Sequence, residues 1–200
     1  DLQKLLVSIR VSERDAAAAA SAVATKCSFE QFLPMIRELD SDALRRELGL
    51  RAMALGPRHF VTDFVSPFSE WIGGAWENGS LSIHEEHFVT NQLQSILRGI
   101  LTQRHEPAAA PRIILTTLPG EAHSLGLKMA AIMISFAGGA PRLLGPETPV
   151  RDIVNAAAAT KACAVGLSVS LLSATRGTVQ RLQLLREMLF LVLMNHQQKQ

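Results

Sequence analysis

The feature that most constrains the fold is a change in hydrophobic pattern near residue 110 of this 200-residue chain. Before residue 104, apolar side chains recur every three or four positions, which is the period of helices that bury one face. After the Ala- and Pro-rich segment 105–111, short apolar runs alternate with helical patterns. Strands that alternate with helices predict a parallel sheet with right-handed connections. We therefore predict an α + α/β protein, a four-helix bundle followed by a Rossmann-like (flavodoxin-like) parallel-sheet domain.

The first part of the chain carries start and stop signals for four helices. Ser28 and Ser82 each precede a Gln or Glu by three residues, which is the pattern of a capping box. Gly56 ends one helix, and Pro57 is suited to the first turn of the next. Short loops make neighbouring helices antiparallel, so a bundle is expected at 28–104 after a helical lead-in at 1–27. The four predicted helices are 28–39, Asp42–Leu55, Pro57–Trp76 and Ser82–Gln103.

The second part, residues 112–200, is predicted to form the parallel sheet after the linker at 105–111. The apolar run Phe190–Met194 is short enough for an additional, fourth strand. The other predicted elements are strands at 112–117, 141–144 and 162–168, and helices at 121–137, 149–159 and 174–188.

Composition excludes several function classes. A net charge of +2 with dispersed Lys and Arg argues against direct DNA binding by this segment. No apolar stretch is long enough to cross a bilayer, so we expect a cytoplasmic protein without membrane contact. Cys27 and Cys163 fall in apolar surroundings that suit buried thiols better than a disulfide or a zinc site. The motifs of nucleotide-binding loops, hydrolase nucleophiles and zinc sites are absent from the sequence, and we expect no enzyme.

The stretch Leu118–Gly126 follows a predicted strand, at the end where open α/β sheets bind ligands. A neutral imidazole such as that of His123 can bind a transition metal, and a carboxylate such as that of Glu121 can hold its other nitrogen. Gly126 would let the backbone approach a bulky group. The alternative is a surface loop in which His123 is solvated.

Two further groups of residues suggest a ligand. Trp76 at the end of one predicted helix and Glu86-His87 in the first turns of the next would supply an apolar lid and hydrogen bonds. Ser168 and Ser170 follow the third predicted strand and would leave room for a ligand. The alternatives are a core tryptophan with two solvated neighbours, and a plain strand end. Trp71 is more consistent with a packing residue.

Taken together, these groups resemble a known family. Glu121-x-His123-x-x-Gly126, followed after 41 residues by Ser168-x-Ser170, resembles the cobalamin-binding motif Asp-x-His-x-x-Gly, Ser-x-Leu and Gly-Gly. Trp76, nine residues and then Glu86-His87 resembles the helical cap of light-responsive MerR-type transcriptional regulators of the CarH/LitR kind. The resemblance covers about residues 28–190.

The resemblance implies a role for each of these residues. His123 would be the lower axial ligand to cobalt, with Glu121 holding it. The cofactor would be adenosylcobalamin, or alternatively methylcobalamin, in a light-sensing homo-oligomer, dimer or tetramer, that reaches DNA only through an N-terminal domain absent here. The slot for the displaced nucleotide tail would be lined by Gly126, Ser168 and Ser170, and the upper face would be covered by Trp76, Glu86 and His87.

Two departures from the family pattern leave other readings open. The final Gly-Gly should fall near residues 197–199, where the chain has Gln197-Gln198-Lys199. Glu77 stands after Trp76 where light sensors of this kind have a second histidine. One alternative is a corrinoid carrier protein of a methyltransferase system, although a carrier must uncover the upper face that Trp76 would cover. Another alternative is a flavodoxin-like interaction domain without cofactor.

Overall fold

The computed structural model describes residues 29–170 and 175–197. The predicted lead-in helices and Cys27 lie outside the described residues. Contacts along the chain divide it into two units, with the boundary between His105 and Glu106. The first is helical, and the second contains a sheet.

The helical unit begins with a short 3₁₀ turn, Phe29–Phe32, that leads directly into the first helix. Asp40 starts the second helix, because its carboxylate accepts hydrogen bonds from the N–H groups of Asp42 at 3.1 Å and Ala43 at 2.9 Å. Glu85 accepts hydrogen bonds from Ser82, so the predicted capping box is present at the start of the last helix. The helices are α1 (Leu33–Arg37), α2 (Ser41–His59), α3 (Ser66–Glu77) and α4 (Ile83–Thr102), with a π-helical segment, Phe60–Val65, between α2 and α3.

Gly56 interrupts α2 where the sequence predicts a boundary between two helices. Its φ of 72° and ψ of 160° lie outside the helical region, and Pro57 follows it directly. Glycine reaches a positive φ without the steric penalty that other residues incur. The chain therefore changes direction at Gly56, as predicted, although hydrogen bonding continues across it to His59.

Aromatic side chains form much of the core of the helical unit. Phe32, Phe60 and Phe68 are fully buried. The rings of Phe68 and Trp71 stack with centroids 5.7 Å apart, which confirms Trp71 as a packing residue. The recurrence of large apolar residues at helical spacing thus corresponds to an interior of interlocking rings.

The sheet unit has three parallel strands in the order β2-β1-β3 among the described residues. Leu115 in the central strand lies opposite Leu143 on one side and Gly166 on the other. A buried cluster around Ile114 and Ile153 fills the space between the sheet and two of the helices. The predicted fold class, helices followed by a Rossmann-like parallel sheet, is confirmed. The elements are β1 (Arg112–Thr116), α5 (Leu125–Phe136), β2 (Ala140–Gly145), α6 (Val150–Thr160), β3 (Ala164–Leu167) and α7 (Arg176–Gln197).

A two-pronged ion pair fixes the start of the sheet unit to its edge strand. The guanidinium of Arg142, on β2, donates to both carboxylate oxygens of Glu106, at 2.6 and 2.7 Å. This hydrogen bonding lowers the pKa of Glu106 and raises the pKa of Arg142. The start of the predicted linker is therefore held beside β2.

The structure corrects three of the predictions. Phe190–Met194 is helical and belongs to α7, because no Gly or Pro after Gly177 ends that helix. The helix predicted from residue 121 begins only at Leu125, since Glu121 and the residues after it form a loop. Cys163 is exposed, because it lies just before the edge strand β3. Its N–H donates to the Arg112 carbonyl at 2.9 Å.

In the part of the chain that the structure describes, no helix combines the length and apolar character needed to span a membrane.

Candidate functional site

The candidate site lies at the carboxyl ends of β1 and β3. In the strand order β2-β1-β3, the chain crosses from β1 to β2 on one side of β1, and β3 lies on the other side of β1. Open α/β sheets bind ligands outside the carboxyl ends of their strands. The loop with Glu121 and His123 leaves β1 there, and Ser168 and Ser170 follow β3.

Glu121 holds His123 in the way that the sequence predicts. The Oε1 atom of Glu121 lies 2.6 Å from Nδ1 of the His123 ring and accepts a hydrogen bond from the His123 main-chain N–H at 2.9 Å. The Glu121 side chain is 4% exposed, whereas the His123 side chain is 70% exposed. A carboxylate at Nδ1 favours the tautomer whose proton is on that nitrogen, which leaves Nε2 as an electron-pair donor. An exposed imidazole in this state can bind a metal ion.

Glu121 also reaches the segment after β3. Its second oxygen, Oε2, accepts a hydrogen bond from the main-chain N–H of Ser170 at 2.6 Å. The same buried carboxylate therefore touches the loop after β1 and the segment after β3. This contact of Ser170 is made by its backbone, which a sequence pattern of side chains does not reveal.

Gly126 lies beside Ser168. A Cβ atom built on Gly126 would lie 3.1 Å from the Ser168 hydroxyl oxygen, closer than most such contacts in proteins. Glycine thus keeps the space open between the start of α5 and the end of β3. Ser168 is itself fixed to the sheet, because its N–H donates to the Thr116 carbonyl at 3.1 Å.

Several residues that were not predicted brace the loop. The buried Thr117 hydroxyl donates to the Glu121 carbonyl oxygen at 2.5 Å and accepts from the Glu147 N–H at 2.7 Å. Arg181, on α7, donates to the Pro119 carbonyl at 3.0 Å. A hydroxyl residue at the end of a buried strand is a signal that could have identified Thr117. Nothing in the sequence marks Arg181.

In the helical unit, the predicted group of Trp76, Glu86 and His87 lies on the two sides of one turn. Trp76 lies in the last turn of α3 and is 42% exposed. Glu86, in the first turns of α4, lies 2.5 Å from Nδ1 of His87 and accepts a hydrogen bond from the Thr90 hydroxyl at 2.7 Å. The structure therefore brings Glu86 and His87 together, and leaves part of the Trp76 indole open to solvent.

His123 offers one imidazole nitrogen for a metal ion. Within residues 29–170 and 175–197, no group of three or more His, Cys, Asp or Glu side chains is arranged to hold a metal.

Comparison with known proteins gives two curated relatives. The HTH-type transcriptional repressor CarH of Myxococcus xanthus is 31% identical over 119 residues, which are 58% of this chain and 38% of the repressor. The chain is a relative of this CarH repressor. Dimethylamine corrinoid protein 3 of Methanosarcina acetivorans is 23% identical over 135 residues, or 66% of this chain and 62% of that protein. The chain thus spans less than two thirds of the length of CarH and of the corrinoid protein.

Among solved structures, a cobalamin-binding protein of Desulfitobacterium hafniense DCB-2 matches 81% of this chain and 78% of its own, with a TM-score of 0.34 and 22% identity. No family model matches the chain.

Proposed function

We propose that this chain is a cobalamin-binding, light-sensing module of a transcriptional regulator related to CarH, with His123 as the lower axial ligand to cobalt. The observation that carries this proposal is the Glu121–His123 pair, with 2.6 Å between Oε1 and Nδ1, on the loop after β1. The 31% identity with CarH supports it independently. We propose a binding module and no enzyme, because the groups described suit ligation and covering of a cofactor.

The residues at the sheet fit a cobalamin on three counts. The exposed His123 imidazole would hold the cobalt as its lower axial ligand. The buried Glu121 fixes the orientation of the His123 ring. Gly126 would keep open the space beside Ser168, in which the displaced nucleotide tail would lie, because it lacks a side chain that would fill it. Ser168 and Ser170 would line the same slot.

Trp76, Glu86 and His87 are proposed for the opposite, upper face. The exposed indole of Trp76 would cover an apolar upper group, and the Glu86 carboxylate would accept hydrogen bonds from the hydroxyls of an adenosyl group. This argues for adenosylcobalamin. The bound cofactor would supply a cobalt–carbon bond that light can break, and loss of the upper group would remove what these three side chains contact. A homo-oligomer that binds DNA through a further domain would respond to that loss.

A second candidate function is that of a corrinoid carrier in a methyltransferase system. The 23% identity with dimethylamine corrinoid protein 3 favours it. A carrier and a sensor would share His123 and the slot, but a carrier exchanges methyl groups with partner enzymes through an uncovered upper face.

The first experiment is an absorption spectrum after incubation with adenosylcobalamin in the dark and gel filtration, repeated after green light. We expect the cofactor to be retained in the dark, and both the spectrum and the elution volume to change with light. The variant His123→Ala should lose the spectrum of imidazole-ligated cobalt. The matched control is His59→Ala, because the partly exposed His59 also pairs with a carboxylate, that of Asp63, at 2.9 Å.

Three results would change the proposal. An unchanged spectrum in His123→Ala would overturn the axial ligand. Retention without a change of elution volume in light would contradict the sensor and favour the carrier, which methyl turnover with a corrinoid methyltransferase would then test. Failure of the parent chain to retain cobalamin would overturn the proposal as a whole.

A further inference from the structure

The segment between β2 and α6 borders the loop that carries His123. The buried Thr117 hydroxyl donates to the Glu121 carbonyl oxygen and accepts from the Glu147 N–H at 2.7 Å. The Thr148 N–H donates to the Thr117 carbonyl at 3.0 Å. The main chain of Glu147 is therefore held directly beside the His123 loop.

Glu147 has a backbone conformation that residues with a side chain disfavour. Its φ of 56° lies in the left-handed region, where a Cβ atom crowds the following carbonyl oxygen. Among the described residues, the other non-glycine residues with a positive φ are Leu39 and Lys161, which follow the last turns of α1 and α6. A left-handed residue commonly ends a helix. Glu147 ends no helix, and strain without such a role is typical of functional sites.

The Glu147 carboxylate is exposed and has spare capacity to accept hydrogen bonds. Its Oε1 atom accepts from the Gly120 N–H at 3.3 Å, and its Oε2 atom has no partner among the described residues. An ionised carboxylate can accept about four hydrogen bonds. Gly120 lies three residues before His123, so this acceptor stands beside the loop that presents the imidazole.

We propose that the Glu147 carboxylate binds the rim of the corrin ring by accepting a hydrogen bond from one of its side-chain amides. This inference rests on the proposed function, in which His123 holds the cobalt at the centre of that ring. Primary amides surround the corrin of cobalamin, and their N–H groups bind a carboxylate more strongly than a neutral oxygen. Because Thr117 and Gly120 already hold Glu147, little conformational freedom is lost when the amide binds.

The first test separates backbone strain from ligand binding in the full chain. Glu147→Gly removes both the Cβ atom and the carboxylate, so the thermal midpoint of the cofactor-free chain should rise by about 2–5 °C. The same variant should need about fivefold to tenfold more aquocobinamide for half of the imidazole-ligated absorption, as expected for one exposed hydrogen bond to a charged group. A purely structural glutamate would not combine a gain in stability with a loss of affinity.

Lys161→Gly is the matched control for the strain. Lys161 also has a left-handed φ, of 52°, but it precedes β3 and so lies at the opposite end of the sheet from His123. We expect a similar rise of the thermal midpoint and an unchanged affinity for aquocobinamide.

The second test changes the amides of the ligand. Cobyrinic acid carries carboxylates where cobinamide carries amides, so the parent chain should prefer cobinamide. Glu147→Lys keeps a long side chain and reverses its charge, and should lower the ratio of cobinamide affinity to cobyrinic acid affinity by about tenfold or more. Glu187→Lys, at an exposed position of α7, makes the same change of net charge and should leave this ratio nearly unchanged.

The outcomes separate this inference from the proposed function. Equal cobinamide affinity of Glu147→Gly and the parent chain would overturn the inference and leave His123 as the proposed ligand. The same conclusion would follow if Glu147→Lys and Glu187→Lys had equal affinity ratios. Weaker binding of Glu147→Gly together with a lower thermal midpoint would assign the glutamate a structural role instead. A parent chain that binds neither corrinoid would overturn the proposed function and the inference with it.

Discussion

The hydrogen bonds of buried polar groups determine the positions of individual residues in the site. Thr116 and Thr117 are fully buried at the end of β1, where an unpaired hydroxyl would be costly. The Thr116 hydroxyl donates to the Gly145 carbonyl at 2.7 Å, and that of Thr117 donates to the Glu121 carbonyl. The polar groups at the end of the strand are thus hydrogen-bonded to the surrounding loops. These hydrogen bonds fix the loop that presents His123.

Gly126→Ala tests the space beside Ser168. The added methyl group would lie 3.1 Å from the Ser168 hydroxyl oxygen, in the proposed tail slot, so cobalamin affinity should fall by about tenfold or more. The free energy of unfolding should change by less than about 1 kcal/mol, since alanine favours the helix and the serine hydroxyl can rotate. Titration followed by absorbance and thermal unfolding would measure both.

Two further variants make this test specific. Ser168→Ala combined with Gly126→Ala should relieve the crowding and recover part of the affinity. Gly49→Ala in α2, where an added Cβ has no atom within 4 Å, should leave the affinity unchanged. Equal affinity of Gly126→Ala and the parent chain would show that this space does not hold the cofactor.

The side-chain pattern of the site could be predicted from the sequence, and its main-chain contacts could not. The two-residue spacing of Glu121 and His123 after a strand sufficed to predict their hydrogen bond. The Ser170 N–H could not be assigned to Glu121, because every residue except proline has such a group. Arg181 reaches Pro119 from a helix 62 residues later in the chain, and no local pattern reports so distant a contact.

At the scale of the elements, helix starts marked by capping side chains were predictable. Ser82 and Glu85 have side chains that satisfy the N–H groups at the start of α4, so their identity alone predicts the boundary. The prediction of a strand at Phe190–Met194 was wrong, because no such side chain marks the ends of this run. A short apolar run fits a strand as well as a helix, and only its continuity with α7 decides between them.

The capping box predicts a dependence of stability on pH. Hydrogen bonds from Ser82, first from its hydroxyl and then from its N–H, lower the pKa of Glu85 below its usual value of 4.5. The unfolded chain therefore binds a proton at a higher pH than the folded chain. This contribution to stability is complete above the unfolded pKa and is lost as the pH falls through the lower folded pKa.

Ser82→Ala should lower the free energy of unfolding of the helical unit by about 0.5–2 kcal/mol at pH 7. It should also weaken the loss of stability below about pH 4.5, because the largest cause of the lowered Glu85 pKa is removed. Circular dichroism during thermal unfolding at several pH values would measure both effects. Ser80→Ala, on the same turn, is the control, and an equal effect of the two substitutions would contradict the role of the cap.

At the scale of the whole molecule, the chain divides into two units between His105 and Glu106. His123 belongs to the sheet unit, and Trp76, Glu86 and His87 belong to the helical unit. Each unit has its own buried core, and each carries part of the pattern that resembles the sensor family. We therefore expect a substitution in one unit to leave the fold of the other unit unchanged.

Trp76→Ala should lower affinity for adenosylcobalamin by about tenfold relative to methylcobalamin, since a large exposed aromatic group would cover the larger upper ligand. The absorption spectrum that reports His123 ligation should persist, and thermal unfolding should show that the helical unit stays folded. Ile83→Ala, another exposed apolar residue on the far side of the turn, is the control. If Trp76→Ala and the parent chain showed the same selectivity between adenosylcobalamin and methylcobalamin, Trp76 would not have the capping role.

The shared carboxylate of Glu121 has a consequence for how related sequences are compared. A motif that accepts either acid at its first position treats glutamate and aspartate as synonyms, since both can hold the histidine. In this chain one acid accepts hydrogen bonds from both loops. A comparison that scores this position only by its pairing with the histidine would therefore overlook the second contact, with the main chain after the third strand.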